Sequence, residues 1–236
     1  MDQLQKKIKV IKNKHLPKEI KILYEDKDIL IVEKAAGFLT MGTEREKVKT
    51  AYYVLTNYVR KGQVKSRKRI FIVHRLDKET SGIMIFAKNY QAKEYLQKHW
   101  DMVNKKYLAV VHGILSNKEG RITSYLAENT EHVMYSTSDK NNGKLAHTDF
   151  KVLKEIKGFS LLEVSLITGR KNQIRAHFSE KGNPIAGDKK YGKKDSRFLK
   201  LALHSYIIEF NHPFNEKRMR FETNFPSRFK RMGIKI

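Results

Sequence analysis

Two short apolar runs flank a polar segment in the first half of the chain. Residues 70–73 and 83–87 are rich in β-branched and aromatic side chains, and polar residues bound both runs. Runs of this length and composition are typical of buried strands. The segment between them, residues 74–82, carries acidic and basic side chains and is too polar to continue either strand. The pattern therefore predicts a strand, a loop and a second strand.

Two other segments show the three-and-four spacing of amphipathic helices, and each begins with a residue suited to capping. Thr50 is expected to cap a helix that runs to about Val59, and Asn89 is expected to begin a second helix. The apolar positions of the second helix are Ala92, Tyr95, Leu96, Trp100 and Val103. We therefore interpret Trp100 as a core residue and not as an exposed stacking surface.

Residues 161–182 predict a strand that is followed by a short helix. Residues 161–167 are apolar and β-branched, Gly169 ends the strand, and Asn172 is suited to cap a helix that ends at Gly182. Arg175 then lies in the first turn of that helix, where a phosphate or an ionised carboxylate is readily bound. Strands and helices follow one another without a repeat, so the predicted fold class is α+β.

Charge points to a polyanionic partner. The chain has 49 Lys and Arg against 25 Asp and Glu, a formal charge of +24, which is the balance expected of a nucleic-acid-binding protein. A solvated lysine-rich surface is the alternative. Residues 60–69 nevertheless concentrate six cations without an acid, directly before the first predicted strand of the polar loop. The cations predicted to contact the backbone of the nucleic acid are Arg60, Lys61, Lys65, Arg67, Lys68 and Arg69.

Cysteine is absent, which excludes disulfides, thiol nucleophiles and cysteine-ligated metal sites. The nine histidines do not show the spacing of a metal motif, so we expect no metal. No stretch has the ~18–20 apolar residues of a membrane span, and the first residues lack the apolar region of a signal peptide. We therefore expect a cytoplasmic protein without membrane association. Its length allows one large domain or two small ones, and we favour one.

Asp77 is the candidate for chemistry in the polar loop. It lies two residues after Arg75, and a nearby cation favours an ionised carboxylate, which is able to act as a base or a nucleophile. The alternative is that Asp77 caps a turn and pairs with Arg75. The loop alone leaves both interpretations open.

Together with four further segments, this loop resembles the RluA-type family of RNA pseudouridine synthases. The family motif H-R-L-D-x-x-T-S-G maps onto residues 74–82, which puts the catalytic aspartate on Asp77. The other segments are residues 24–32, resembling the opening strand, residues 106–113, resembling K-x-Y-x-A-x-x-x-G, residues 168–192, resembling T-G-R-x-x-Q-I-R to G-D-x-x-Y-G, and residues 203–213, resembling the closing L-H to F-x-H-P element. The match covers about residues 22–228.

The resemblance implies a pseudouridine synthase fold, with a central mixed, largely antiparallel sheet flanked by helices. It also implies a short form that lacks an N-terminal S4 RNA-binding domain. Residues 1–21 are then a basic N-terminal extension, and residues 22–236 are the catalytic domain. Two segments depart from the family pattern. Residues 34–37 read Lys-Ala-Ala-Gly instead of Lys-Pro-x-Gly, and residues 171–172 read Lys-Asn instead of Thr-His. These departures affect loop shape, and they leave the aspartate in place.

The family's activity implies that the chain isomerises uridine to pseudouridine in structured RNA, without a cofactor and as a monomer. The uridine leaves its stack. The alternating strand of Tyr107 allows its side chain to pack inward or to line a pocket, with core packing favoured, and the resemblance instead places it against the target base. Ile174 is the candidate for a second stacking face. Arg175 matches the arginine that pairs with the catalytic aspartate, and Arg75 is expected to fill the gap left by the base or to grip a phosphate.

Ribosomal RNA is the expected substrate, and transfer RNA is the alternative. A non-catalytic RNA-binding or ribosome-assembly protein explains the charge equally well, but the intact Asp77, Tyr107 and Arg175 argue against it. A glycosidase is disfavoured because it needs a second carboxylate, and only Glu79 is at hand.

Overall fold

The structure, a computed structural model, describes residues 16–63, 65–192 and 198–231. The described residues divide into two compact units, one within Met1–Val103 and Ile207–Thr223 and the other within Asn104–Tyr206 and Asn224–Ile236. The predicted domain boundary at residue 22 stays a prediction, because most of the expected N-terminal extension, residues 1–15, lies outside the described residues.

The strands and helices are numbered in chain order. The strands are β1 (Ile20–Glu25), β2 (Ile29–Lys34), β3 (Phe71–Ile72), β4 (Ser81–Ala87), β5 (Asn104–His112), β6 (Glu119–Glu128), β7 (Met134–Thr137), β8 (Lys144–Ile156), β9 (Phe159–Leu166), β10 (Leu203–Asn211) and β11 (Arg218–Glu222). The helices are α1 (Ala51–Arg60), α2 (Tyr90–Lys98), α3 (Gln173–Glu180) and α4 (Ser227–Arg231), and a 3-10 turn covers Trp100–Met102. In the described part of the chain, none of the helices is long and apolar enough to cross a membrane.

In the first unit the strands follow the order β1, β2, β4 and β10, with β3 also paired to β4 and β11 paired to β10. The pairs β1–β2, β2–β4, β3–β4 and β10–β11 are antiparallel. Every residue of β4 is buried, which explains why residues 83–87 are an unbroken apolar run and do not alternate. The core of this unit includes Leu23, Ile31, Ile85, Leu96 and Phe210.

The interpretation of residues 24–32 as one opening strand is wrong. β1 ends at Glu25 and β2 begins at Ile29, and the two strands form an antiparallel hairpin. The carboxylate of Asp26 accepts the main-chain N–H groups of Asp28 and Ile29, each at 2.8 Å. An aspartate that binds its own backbone in this way favours a turn over a continued strand.

The two predicted helix starts are confirmed. Thr50 precedes α1 and accepts the N–H of Tyr53 through its side chain, and Asn89 does the same for Ala92 at the start of α2. The second helix is shorter than its apolar spacing indicated, because α2 ends at Lys98 and the next residues form the 3-10 turn. Trp100, in that turn, packs against the core as predicted.

The second unit contains the strand order β5, β9, β8, β6 and β7. The pairs β5–β9, β8–β9, β6–β8 and β6–β7 are antiparallel. Helix α3 packs against β7 and β8, and its first six residues are all buried. Strands and a few helices make both units, in agreement with the α+β class predicted from the sequence.

Candidate active site

The polar loop that was predicted between two strands is present in the first unit. β3 and β4 pair antiparallel, with Phe71 opposite Ala87 and Ile72 opposite Phe86, so both ends of the loop are fixed by the sheet. Within the loop, Leu76 and Thr80 are buried. The loop is therefore anchored at its ends and at two points along its length.

His74 anchors the start of the loop. Its Nε2 atom accepts the main-chain N–H of Ile85 at 3.0 Å, which requires a lone pair on Nε2. The imidazole is therefore neutral, with its proton on Nδ1. Its ring stacks on Trp100, with ring centroids 4.6 Å apart and an interplanar angle of 30°. The conformation of His74 is thus set by the strand after the loop and by the single tryptophan.

Lys34 and Thr40 hold the loop's main chain on both sides of Asp77. Lys34 is fully buried, and its Nζ donates to the carbonyls of Ala35, Phe38 and Lys78 at 3.0, 2.7 and 3.1 Å. Three acceptors compensate the burial of the ammonium group. The Thr40 hydroxyl donates to the carbonyl of Leu76 at 2.8 Å.

Asp77 itself is half-buried, and Arg75 is exposed. The main-chain carbonyl of Asp77 accepts the N–H of Thr80 at 3.1 Å, so residues 77–80 form a turn. The turn is closed by the backbone of Asp77, which any residue supplies. The alternative in which the carboxylate of Asp77 caps the turn stays open.

Arg175, in the second unit, is held by a carboxylate that the sequence did not single out. Its Nε and Nη2 donate to Oδ2 and Oδ1 of Asp188 at 2.7 and 2.8 Å, and the two side chains are 8% and 0% exposed. Asp188 also accepts the main-chain N–H groups of Lys190 and Tyr191. The predicted pairing of Arg175 with Asp77 joins residues of the two units and stays a prediction.

The ionisation of Asp188 follows from these contacts. Burial alone would raise the pKa of the Asp188 carboxyl, but the hydrogen bond and charge of Arg175, together with the N–H groups of Tyr191 and Lys190, hold that pKa below its ordinary value. The guanidinium carbon of Arg175 also lies 5.0 Å from the ring centroid of Tyr191. Arg175 is therefore fixed by a bidentate ion pair and by an aromatic face.

The N-terminus of α3 is capped differently from the prediction. Asn172 occupies the cap position with φ at 49°, but its side chain makes no capping hydrogen bond. The Oε1 atom of Gln173 accepts the N–H of Arg170 at 3.0 Å and the hydroxyl of Thr168 at 2.8 Å. The side chain of Gln173 thus orders the residues ahead of the helix.

The two predicted base-stacking residues are both buried in the second unit. Tyr107 lies on β5 opposite Val164, and Ile174 is the second residue of α3. The burial of Tyr107 agrees with the core packing that was favoured for it before the resemblance was considered. Contact of either residue with a target base stays a prediction.

Comparisons with known proteins decide the family. The sequence profile described as RNA pseudouridylate synthase matches residues 28–180, which is more than half of the chain. The chain belongs to the RluA-type RNA pseudouridine synthases. It is therefore an enzyme, an isomerase that acts on RNA.

Relatives of the synthase agree along nearly its whole length. The uncharacterized RNA pseudouridine synthase YlyB of Bacillus subtilis (strain 168) is 36% identical over 216 residues, covering 89% of this chain and 70% of the relative. The ribosomal large subunit pseudouridine synthase D of Borreliella burgdorferi is 31% identical over 235 residues, covering 97% of this chain and 71% of the relative.

Solved structures confirm the predicted fold. Human RNA pseudouridylate synthase domain containing 4 superposes with a TM-score of 0.72 at 24% identity, covering 89% of this chain and 90% of that one. Human RNA pseudouridylate synthase domain containing 1 gives a TM-score of 0.71, also at 24% identity, covering 88% and 84%. The synthase has the α+β pseudouridine synthase fold expected from the resemblance.

The basic run of the synthase is an irregular turn at the end of α1. Arg60 is the last residue of the helix, and Lys61 follows in the left-handed region with φ at 51°. The Nε atom of Arg60 donates back to the carbonyl of Lys68 at 3.1 Å. Lys61, Lys65, Arg67, Lys68 and Arg69 lie in this run at the surface, and residue 64 lies outside the described part. Their contact with RNA backbone stays a prediction.

Among the described residues of the synthase, one group has the composition of a metal site: Asp26, Asp28 and His212. His212 donates through Nε2 to Asp26 at 2.8 Å and accepts the N–H of Phe214 through Nδ1 at 3.2 Å. Burial would raise the pKa of Asp26, but the N–H groups of Ile29 and Asp28 and the imidazole of His212 lower it below its ordinary value. Hydrogen bonds thus occupy both imidazole nitrogens of His212. The expectation that the protein binds no metal stays a prediction.

Proposed function

We propose that the synthase converts a flipped-out uridine of large-subunit ribosomal RNA to pseudouridine, with Asp77 as the catalytic residue. The observation that carries the proposal is the geometry of the loop in the first unit. The carbonyls on either side of Asp77 are bound by Lys34 and Thr40, and Asp77 itself is half-buried on that fixed backbone. A carboxylate that is placed in this way is suited to react with a bound nucleoside.

The reaction balances without a co-reactant. The bond between uracil N1 and ribose C1′ breaks, the base turns, C5 bonds to C1′, and the proton lost from C5 is replaced at N1. Asp77 either attacks C1′, which forms a covalent intermediate, or removes a ribose proton, which leads to a glycal. Both routes need an ionised carboxylate within reach of the ribose. Flipping the uridine out costs a few kcal/mol, and less in a loop or a bulge.

The choice of ribosomal RNA rests on the relatives. Proteins named ribosomal large subunit pseudouridine synthase D, from Borreliella burgdorferi and Nitrosomonas europaea, are 31% and 33% identical to this chain. Mapping pseudouridines in cells with and without the protein tests this choice. A site that is lost from 23S RNA supports it, whereas a site that is lost only from transfer RNA replaces it with the alternative. A monomeric state and a cytoplasmic location remain predictions.

The role of Asp77 is tested by Asp77→Asn, which keeps the shape and removes the charge. The measurement is single-turnover release of tritium from RNA that contains uridine tritiated at C5. Asp101→Asn, at an exposed aspartate of the same unit, is the matched control. We expect tritium release to vanish for Asp77→Asn and to persist for Asp101→Asn.

RNA binding and thermal melting of the same variants separate the alternatives. We expect Asp77→Asn to bind RNA and to melt like the wild type. Release of tritium at a rate near wild type would remove Asp77 from the chemistry. Early melting would instead support the turn-capping interpretation. A wild-type protein that binds RNA without releasing tritium would favour a non-catalytic role.

A further inference from the structure

A cleft of about 650 Å³ on the first unit is lined by aromatic side chains. Its rings are Tyr52, Tyr53, Phe71 and Tyr90. Tyr53 and Tyr90 are 42% and 56% exposed, and the Phe71 and Tyr90 rings meet edge to face with centroids 6.2 Å apart. Single exposed apolar side chains are common, but a cluster of them marks a binding surface. We call this feature the tyrosine cleft.

Three cations line the same cleft: Lys47, Arg69 and Lys93. The guanidinium carbon of Arg69 lies 4.9 Å from the ring centroid of Phe71, and Nζ of Lys93 lies 4.9 Å from that of Tyr90. Lys47 and Arg69 are at the surface. Nζ of Lys93 lies 3.1 Å from Oε1 of Glu94. An ion pair at the surface is weak, so a phosphate is able to replace Glu94 as the partner of Lys93. The cleft therefore combines accessible aromatic faces with accessible positive charge.

This combination is the chemistry of single-stranded nucleic acid binding, in which bases stack on aromatic rings and cations neutralise the phosphates. The net charge of +24 and the RNA substrate of the family favour RNA over an apolar peptide as the occupant. We propose that the tyrosine cleft binds unpaired nucleotides of the substrate RNA, with bases on Tyr53 and Tyr90 and phosphates at Lys47 and Lys93.

The chain connects this cleft to the candidate catalytic loop. Phe71 and Ile72 line the cleft from β3, and Asp77 follows Ile72 by five residues, a span of at most ~18 Å. If Asp77 has the proposed catalytic role, nucleotides in the cleft are close neighbours of the target uridine. Because stacking tolerates any base, the cleft selects uridines that are flanked by unpaired RNA and does not select a sequence.

The stacking surface is tested with the double variant Tyr53→Leu/Tyr90→Leu, which keeps apolar bulk and removes the ring faces. The probe is a fluorescent single-stranded dodecamer of uridylate, titrated by anisotropy. We expect the dissociation constant to rise about fivefold or more. Tyr135→Leu is the matched control, since Tyr135 is 39% exposed on a strand of the second unit, and it should bind like the wild type. Melting curves establish that every variant is folded.

The charged positions are tested with Lys47→Gln/Lys93→Gln. For single strands the slope of log affinity against log salt should flatten by roughly 0.7 for each phosphate that the variant no longer neutralises. Lys151→Gln/Lys217→Gln, at two exposed lysines outside the cleft, should leave the slope unchanged. A duplex of the same length should lose less affinity than the single strand in the Tyr53→Leu/Tyr90→Leu variant, because its bases are not available for stacking.

Crosslinking locates the RNA directly. A uridylate dodecamer that contains 5-iodouridine should crosslink to the tryptic peptides that span residues 50–60 and 89–93, which carry the cleft tyrosines. Crosslinks only outside these peptides, or unchanged affinity in the folded Tyr53→Leu/Tyr90→Leu variant, would overturn the proposal. Unchanged RNA affinity would point to a protein partner instead. These binding results do not depend on turnover, so they fail separately from the proposed role of Asp77.

Discussion

The loop that carries Asp77, in the first unit, is held through its main chain, whereas Arg175, in the second unit, is held through its side chain. Lys34 and Thr40 bind carbonyls of the loop, and Asp188 binds the guanidinium itself. A substitution at Asp77 therefore leaves these loop contacts in place, while a substitution at Arg175 breaks an ion pair of the fold. A loss of turnover should therefore be separable from a loss of stability at Asp77, whereas the two losses should occur together at Arg175.

The largest effect is expected for Arg175→Met. Removing the guanidinium leaves the carboxylate of Asp188 buried without its charge partner, which costs about 3–5 kcal/mol of unfolding free energy. Urea unfolding measures this decrease. Arg121→Met breaks the pair with Asp149, in which Arg121 is 56% exposed, and should cost less than about 1 kcal/mol. Equal decreases in the two variants would contradict the contrast between a buried and an exposed pair.

Arg175→Met also bears on the predicted pairing with Asp77. The double variant Arg175→Met/Asp188→Leu removes the buried charge together with its partner, and it should recover much of the lost stability. If Arg175 compensates the charge of Asp77, tritium release stays low in this variant although the protein is stable. Recovery of turnover along with stability would assign Arg175 a structural role alone.

Lys34→Met is expected to have the next largest effect, about 3 kcal/mol, because the carbonyls of Ala35, Phe38 and Lys78 lose a charged donor. Turnover should fall further than stability explains, since the backbone after Asp77 is then less restricted. Urea unfolding and single-turnover tritium release measure the two effects. The control is Lys21→Met, at a lysine of β1 that is 59% exposed. A stable variant with normal turnover would show that Lys34 does not position the loop.

Acid should weaken the second unit through His177. Burial lowers the pKa of His177 to about 4, while the unfolded chain binds the proton near pH 6.5. The unfolded state therefore takes up the proton first, so stability is lost as pH falls from about 6.5 to about 4. Relative to His177→Gln, the wild type should show a slope steeper by up to about 1.4 kcal/mol per pH unit. Parallel unfolding curves against pH would contradict this assignment.

The smallest effect is expected for Thr40→Val, about 1 kcal/mol, because one neutral hydrogen bond to Leu76 is removed. Thr43→Val, at an exposed threonine whose hydroxyl accepts the N–H of Glu46, should cost less. Thermal melting compares the two. If Thr40→Val lowers turnover while barely changing the melting temperature, the hydrogen bond from Thr40 to Leu76 positions the loop more than it stabilises the protein.

Local features were predictable from the sequence, and long-range partners were not. Thr50 and Asn89 predict helices because capping depends on residues three positions away. The burial of Lys34 and its contact with the loop were not predicted, since its acceptor at Lys78 is separated by 44 residues. A lysine at the end of an apolar strand is also ordinarily exposed. Asp188 was not predicted as the partner of Arg175, because the two residues are 13 positions apart and meet only in the folded chain. Asn172 was misjudged because its backbone lies in the left-handed region, whereas a residue that caps a helix through its side chain normally has an extended backbone.

The stacking of Trp100 on His74 gives the synthase a built-in optical reporter. The chain has one tryptophan, and its ring covers the first residue of the loop that carries Asp77. Tryptophan emission depends on its immediate surroundings, so a movement of this loop on RNA binding changes the intrinsic fluorescence of the unlabelled protein. Stopped-flow mixing would then time the loop's response to substrate separately from bond breaking.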